Sequence, residues 1–143
     1  MIEIRRRDKN DFDDMLVLFR QLWPGKPIDS DALRSVYDAA ISSDSRTYAA
    51  AVSGQELLGL VSLSMKYSLW QEGLVGYIDE LVVHEKARRQ GIGTELLNYV
   101  IESARDHGCM RIELDSGFHR KDAHRLYEQL GFEARALLFS KKL

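Results

Sequence analysis

The chain has 143 residues and a mass of 16.4 kDa, the size of one domain that can bury a core without metal or disulfide crosslinks. Hydrophobic residues make up 45% and charged residues 29%, and the net charge of −2 leaves no basic excess for coating nucleic-acid phosphates. A single cysteine, Cys109, excludes an internal disulfide, and the chain shows neither a membrane-length apolar run nor a secretory leader. We therefore expect a cytoplasmic protein with no membrane or nucleic-acid partner.

The first part of the chain predicts a strand and two helices. Residues 2–6 alternate apolar and charged side chains, as a strand does. Residues 12–23 repeat apolar side chains at steps of three and four, which predicts an amphipathic helix ended by Pro24 and Gly25. A second helix follows, with Asp29 or Ser30 as its N-cap. Its predicted buried face consists of Leu33, Val36, Tyr37, Ala40 and Ile41.

The rest of the chain predicts a sheet with further helices packed on it. Strands are expected at 47–52, 57–65 and 74–83, the first two joined by a hairpin turn. A strong amphipathic helix follows over 92–104, then a strand at 111–115, a helix over 123–130 and a final strand at 133–142. This order predicts a single α/β (α+β) domain over residues 1–143, with a mixed sheet and helices on both faces.

A strand runs through a short basic turn into the third predicted helix between residues 81 and 97. The first N–H groups of a helix have no helical acceptor, and the helix dipole makes that end positive. Gly91 and Gly93 leave room for a phosphate close to the backbone, and Arg88 and Arg89 add charge. The pattern predicts a pyrophosphate site, although it also fits a glycine-rich helix start with solvated arginines. It lacks the third small residue of a dinucleotide fingerprint and the Gly-Lys-Ser/Thr of a Walker loop.

Three motifs resemble the GNAT N-acetyltransferase superfamily. The Arg-x-x-Gly-x-Gly sequence at 88–93 is similar to the family signature Gln/Arg-x-x-Gly-x-Gly/Ala, and residues 78–83 resemble the family's central strand. Residues 123–132 resemble its second motif, in which an alanine precedes Tyr-Glu-x-x-Gly-Phe. The motifs occur in the family's order across residues 77–132, with one departure at Arg120, where the family often has asparagine.

The resemblance implies a mostly antiparallel sheet in which a splay between two central strands, 81–83 and 112–115, admits acetyl-CoA. The first of these strands is then expected to pair its backbone with the pantetheine arm, and a backbone N–H there to polarise the thioester carbonyl. The turn N–H groups are expected to hold the pyrophosphate. The residues that the resemblance assigns to the acetyl-CoA site are Leu81, Val82, Val83, Arg88, Arg89, Gln90, Gly91, Ile92, Gly93 and Thr94.

Glu80 and Tyr127 are the predicted catalytic residues. Glu80 lies on the strand beside the expected acetyl site, on the face shared with Ile78 and Val82, where a carboxylate can take a proton from an ammonium substrate through water. A lone strand glutamate is also commonly just solvated or ion-paired. The resemblance implies that Tyr127 donates a proton to the departing thiolate, although its apolar helix stripe fits ordinary packing as well.

Trp23, Tyr67 and Asp115 are predicted to contact the acceptor. Asp115 ends a strand where ligands of open sheets gather, and it can either bind a cation or stabilise the following turn. Trp23, Tyr67 and Trp70 are candidates for an aromatic wall, although such residues also serve as core or edge packing. The Gln-Leu-Trp-Pro-Gly sequence at 21–25 resembles the same region of the aminoglycoside 6′-N-acetyltransferases. The acidic residues on two neighbouring strands of those enzymes match Glu80 and Asp115 by position.

The predicted function is direct transfer of an acetyl group, in a ternary complex, from acetyl-CoA to a primary amine of an aminoglycoside-like or polyamine-like molecule. The alternatives are a non-catalytic acyl-CoA sensor or partner subunit, an acetyltransferase for protein N-termini or lysines, and a nucleotide-binding domain of another class. Cys109 has no local histidine and is expected to be unreactive, and the four histidines lack metal-ligand spacing, so no metal is predicted. A homodimer is the default expectation.

Overall fold

Residues 1–113 and 114–143 form separate units in the computed structural model, which describes every residue of the chain. The strands of the first unit are β1 (Glu3–Arg6), β2 (Arg46–Ser53), β3 (Glu56–Ser68), β4 (Gly73–Val83) and β5 (Arg111–Glu113). Its helices are α1 (Phe12–Leu22), α2 (Ser30–Ile41) and α3 (Ile92–Asp106), with a single 3₁₀ turn at Glu85–Ala87. None of the helices combines the length and the apolar character needed to cross a membrane.

The five strands form one sheet in chain order, β1-β2-β3-β4-β5. Neighbouring strands are antiparallel except β4 and β5, which are parallel. Ser53 pairs with Glu56, so β2 and β3 are joined by a two-residue turn, Gly54-Gln55, as the hairpin prediction required. The mixed and mostly antiparallel sheet expected from the sequence is therefore confirmed.

Helices cover both faces of the sheet in the first unit. A buried cluster joins α1 and α2 to one face, and it consists of Phe12, Met15, Leu16, Leu18, Phe19, Leu22, Tyr37, Ala50, Val52, Leu57, Leu60 and Val82. Helix α3 packs on the other face at Gly59 of β3. A Cβ atom at Gly59 would lie 2.9 Å from Leu96 Cδ1 and 3.3 Å from Ile92 Cγ2. Glycine at this position therefore lets the first turns of α3 approach the sheet backbone directly.

A β-bulge interrupts the pairing of β3 with β4. Ser62 pairs with Glu80 but Leu63 pairs with Ile78, so Asp79 is the extra residue of the bulge. Successive residues of β3 face opposite sides of the sheet, and the bulge therefore turns Glu80 and Ile78 to opposite faces. The prediction that Glu80 shares the face of Ile78 was wrong for this reason.

The second unit contains α4 (Lys121–Gln129). Its C-terminal end has the predicted glycine cap, because Gly131 adopts a φ of 89° and the N–H of Phe132 bonds to the carbonyl oxygen of Tyr127 at 2.9 Å. The ring of Phe132 packs 5.9 Å from the ring of Tyr127, centroid to centroid. This local closure fixes the end of the helix that carries Tyr127.

Three predicted elements differ from the structure. Residues 133–143 form no strand, and Leu137, Leu138 and Phe139 are exposed. These three apolar residues are consecutive, so they do not alternate in a way that gives a strand one buried face. The strand predicted at 111–115 ends at Glu113, and Val36 of α2 is 66% exposed because the buried stripe of that helix turns toward Tyr37. The assignment of residues 1–143 to one domain stays a prediction.

Candidate functional site

Glu80 stands at the end of a row of three polar side chains that crosses the sheet. Tyr48 of β2 pairs with Ser62 of β3, and Ser62 pairs with Glu80 of β4. The N–H of Glu80 donates to Ser62 Oγ at 3.0 Å, and the Ser62 hydroxyl donates to the Glu80 carboxylate. Both the backbone and the side chain of Glu80 are therefore held by one buried hydroxyl group.

The surroundings of Glu80 make it a stronger base than a solvated glutamate. Burial raises the pKa of the Glu80 carboxyl, the hydrogen bond from Ser62 lowers it, the charge of Asp79 raises it and the charge of Arg46 lowers it, with a raised pKa as the net result. Arg46 Nη1 lies 3.7 Å from Asp79 Oδ2, so these two charges partly balance beside the carboxylate. Burial and the charge of Glu80 raise the pKa of Tyr48, which keeps this neighbour neutral near pH 7.

One edge of β4 has no strand partner next to Glu80. The parallel ladder with β5 has three pairs, from Val75 with Arg111 to Tyr77 with Glu113. From residue 78 to residue 83, β4 pairs only with β3. Unpaired backbone groups at a sheet edge can bind an extended ligand as an added strand does. This edge fits the predicted pantetheine contact along Leu81, Val82 and Val83.

The turn after β4 presents backbone N–H groups at the start of α3. The first backbone hydrogen bond of α3 runs from the N–H of Glu95 to the carbonyl oxygen of Gly91 at 3.1 Å, which leaves the N–H groups of residues 92–94 without a helical acceptor. Gly91 adopts a φ of 82° and Arg89 a φ of 63°, so the turn needs a left-handed conformation at two positions. This arrangement fits a pyrophosphate group.

Side-chain hydrogen bonds attach this turn to its neighbours. Arg88 Nε donates to the carbonyl oxygen of Val83 at 3.2 Å. This arginine therefore bonds to the backbone of β4, whereas the alternative considered from the sequence was that it is merely solvated. Gln21 Oε1 at the end of α1 accepts the N–H of Glu85 at 2.9 Å. The role of Gln21 was not visible in the sequence, because its partner is 64 residues away. The turn is therefore anchored to both β4 and α1.

The predicted aromatic wall is not formed. Trp23 stacks on Phe19 of α1, with 5.1 Å between ring centroids, and packs against the core cluster. Gln21, two residues earlier, bonds to Glu85 beyond the C-terminal end of β4. Tyr67 is 85% exposed and pairs with β4 near the N-terminal end of that strand. The length of β4, about 30 Å, separates it from the C-terminal end of the strand, near which α1 ends. Trp23 and Tyr67 therefore do not face one acceptor together, and the separate role of each stays a prediction.

Two predicted site residues belong to the second unit. Asp115 lies beyond the end of β5 and is exposed. Tyr127 is half-buried on α4, and burial raises the pKa of its hydroxyl while the charge of Arg120 lowers it. A hydroxyl that stays protonated above neutral pH can act as a proton donor. The roles of both residues stay predictions.

The remaining reactive side chains form no second centre. Burial raises the pKa of the Cys109 thiol, which disfavours the nucleophilic thiolate. No group of three or more His, Cys, Asp or Glu side chains is placed to hold a metal ion.

Comparison with known proteins identifies the family. Residues 12–132 match the model of the acetyltransferase (GNAT) family. The aminoalkylphosphonate N-acetyltransferase of Salmonella typhimurium is 33% identical over 141 residues, covering 99% of this chain and 91% of that protein. The aminoglycoside N(6')-acetyltransferase type 1 of Serratia marcescens is 26% identical over 140 residues, covering 94% of each.

A solved structure shows the same fold over the whole chain. The crystal structure of a transcriptional regulator from Bacillus halodurans C-125 aligns with a TM-score of 0.88 and 26% identity, covering 100% of both chains. The family match extends over more than half of the chain, and the sheet, the open edge of β4 and the glycine turn all fit it. The chain belongs to the acetyltransferase (GNAT) family and is an acetyl-CoA-dependent N-acetyltransferase.

Proposed function

We propose that this enzyme acetylates the primary amine of a small molecule and that Glu80 is its general base. The observation that carries the proposal is the position of Glu80 on the β-bulge. There its carboxylate is held by Ser62, and the stretch of β4 that pairs with β3 alone begins two residues before it. A base is required at such a place, because a primary amine is an ammonium ion near neutral pH and cannot attack a carbonyl until it loses a proton.

The raised pKa of Glu80 suits this role. A carboxylate with a raised pKa accepts a proton from the ammonium group more readily than a solvated glutamate, either directly or through one water molecule. Acetyl-CoA, when bound, supplies the activated acetyl group. We assign its pantetheine arm to the β4 edge at residues 81–83, and its pyrophosphate to the turn and helix start at residues 88–94.

We propose aminoalkylphosphonates as the first acceptor class to test, with aminoglycoside-like or polyamine-like molecules as the second. The relative that acts on aminoalkylphosphonates has the higher identity and covers 99% of this chain, which supports the first class. The relative that acts on aminoglycosides supports the second. Around Glu80 the charges are mixed, because Arg46 stands beside Asp79, and a small zwitterion suits such surroundings better than a large polycation.

Release of free CoA thiol distinguishes the acceptor classes. We expect kcat/KM for a short aminoalkylphosphonate to exceed that for an alkylamine of the same length by about tenfold. A hydrogen bond to a charged group contributes about 1.5 kcal/mol or more, and about 1.4 kcal/mol corresponds to a factor of ten. If an aminoglycoside is the better acceptor, added salt should raise its KM, because salt screens the attraction of a polycation to the carboxylates. Turnover of peptides with a free N-terminus, without turnover of either small-molecule class, would contradict the proposal.

Tyr127→Phe should lower kcat by about tenfold and leave the melting temperature unchanged. The substitution keeps the ring that packs on Phe132 and removes only the hydroxyl group. A thiolate is already a tolerable leaving group, with a pKa of about 8.5, so losing a proton donor costs less than losing a base. Tyr99→Phe on α3 is the matched control and should behave as wild type. An unchanged kcat in Tyr127→Phe would make Tyr127 a packing residue.

A further inference from the structure

Ser62 is a buried polar residue in the middle of β3. It is 1% exposed, and its neighbours across the sheet are Tyr48 on one side and Glu80 on the other. A buried hydroxyl group is unfavourable unless it is hydrogen-bonded, and a central strand position ordinarily favours a β-branched or aromatic side chain. The serine therefore calls for an explanation from its contacts.

Both contacts of the Ser62 side chain are made with Glu80. The oxygen accepts the N–H of Glu80 at 3.0 Å, and the hydroxyl donates to the Glu80 carboxylate. The first bond fixes the backbone at the bulge, and the second fixes the direction of the carboxylate. An alanine at position 62 can make neither bond, whereas a threonine keeps the hydroxyl group.

We propose that Ser62 is a positioning residue that orients the Glu80 carboxylate toward the acceptor amine and keeps it ionised despite its burial. This inference rests on the proposed role of Glu80 as the general base. A neutral donor is suited to the task. An arginine or lysine in the same place would stabilise the carboxylate so strongly that it became a weak base, whereas a hydroxyl group orients it and leaves it basic.

The groups around Glu80 determine the sign of the expected pH effect. Asp79 on β4 raises the pKa of Glu80, and Arg46 on β2 lowers it. Tyr48 on β2 stays neutral near pH 7, and behind it lies the ring of Tyr37 from α2, 5.6 Å away between centroids. The hydrogen bond from Ser62 also lowers the pKa of Glu80, so removing it should raise that pKa further. More of the base is then protonated at a given pH.

The test measures kcat, both KM values and the pH profile of kcat/KM for Ser62→Ala, Ser62→Thr and Ser64→Ala. We expect Ser62→Ala to lower kcat by about ten- to a hundredfold, which is typical of losing a hydrogen bond to a charged group. The KM for acetyl-CoA should not change, and the acid limb of the profile should move to higher pH. Ser62→Thr should restore most of the rate. Ser64→Ala, the same change two residues along the same strand face, should behave as wild type.

A double variant separates this inference from the proposed function. In a Glu80→Gln background, Ser62→Ala should cause no further loss, because the group that it positions is gone. If Glu80→Gln alone leaves the rate unchanged, the proposed function fails. If Glu80→Gln lowers the rate but Ser62→Ala leaves both the rate and the acid limb as in wild type, the inference about Ser62 is overturned. Equal losses in Ser62→Ala and Ser64→Ala with no shift of the acid limb would overturn it as well, because they indicate a structural role only.

Discussion

Glu80→Gln is expected to lower kcat near neutral pH by about 10²–10⁴-fold, the usual range for loss of a general base. Glutamine keeps the size of the side chain and can still accept a hydrogen bond from Ser62, but it cannot take a proton from the ammonium group. Acetyl-CoA affinity should stay within about twofold of wild type, since the β4 edge and the glycine turn are untouched. Stopped-flow or steady-state thiol release and calorimetric titration with acetyl-CoA measure the two quantities.

The neighbouring carboxylate provides the control for this loss. Asp79→Asn removes a charge one residue away, and that charge raises the pKa of Glu80. The variant should therefore keep a substantial rate, and the acid limb of its pH profile should move to lower pH. A loss in Asp79→Asn as large as that in Glu80→Gln would move the base assignment to Asp79.

The melting temperature of Glu80→Gln distinguishes loss of the base from unfolding. Burial raises the pKa of Glu80 above its unfolded value of about 4.3, so the folded state binds more protons between the two values. The free energy of unfolding then falls as the pH rises through this window, so the ionised Glu80 destabilises the folded state at neutral pH. Glu80→Gln removes this destabilisation. Its melting temperature at pH 7 should equal or exceed that of wild type, and the difference should shrink as the pH falls toward 4.

The local patterns in the sequence predicted the strand, turn and helix that we assign to acetyl-CoA. The strand residues of β4, the glycines at 91 and 93 and the apolar stripe of α3 each form a local pattern, so each can be recognised without knowing the rest of the fold. The sequence predicted Gly91 as a place where a phosphate can approach the backbone, and the structure adds that this glycine adopts the left-handed conformation. The identity of the ligand, acetyl-CoA, was inferred from the resemblance of this segment to the family signature.

The surroundings of Glu80 depend on contacts between distant residues, and the sequence could not predict them. The bulge at Asp79 is a property of the register between two strands, whereas a period of two along β4 alone places Glu80 on the same face as Ile78. Ser62 is 18 residues from Glu80 and was not distinguishable from other strand serines. The distance between Trp23 and Tyr67 was hidden in the same way, because it depends on where α1 ends against β4.

Gly91→Asp is expected to weaken acetyl-CoA binding on the order of a hundredfold. The new carboxylate would stand at the N-terminal end of α3, where the N–H groups of residues 92–94 are assigned to the pyrophosphate. Two unit charges 4 Å apart repel each other by about 1 kcal/mol in water and about 4 kcal/mol at an effective dielectric constant of 20. These two energies correspond to about a fivefold and about a thousandfold loss of affinity. Because Gly91 is exposed, we expect the loss at this turn to fall between the two values.

Gly91→Asn is the matched control for this effect. A Cβ atom at position 91 meets no atom within 4 Å, so the side chain has space, but the φ of 82° strains most residues other than glycine. Asparagine has the size of aspartate and tolerates the left-handed conformation better than most residues, so it carries the strain and the bulk without the charge.

Acetyl-CoA should raise the melting temperature of wild type by several degrees at a hundredfold excess over its Kd, and the Gly91→Asn variant should keep a large part of this shift. The Gly91→Asp variant should lose nearly all of it, while its unliganded melting temperature stays close to that of the asparagine variant. Equal shifts in the two variants would mean that no phosphate lies at this helix start, and the assignment of the turn to acetyl-CoA would then be wrong.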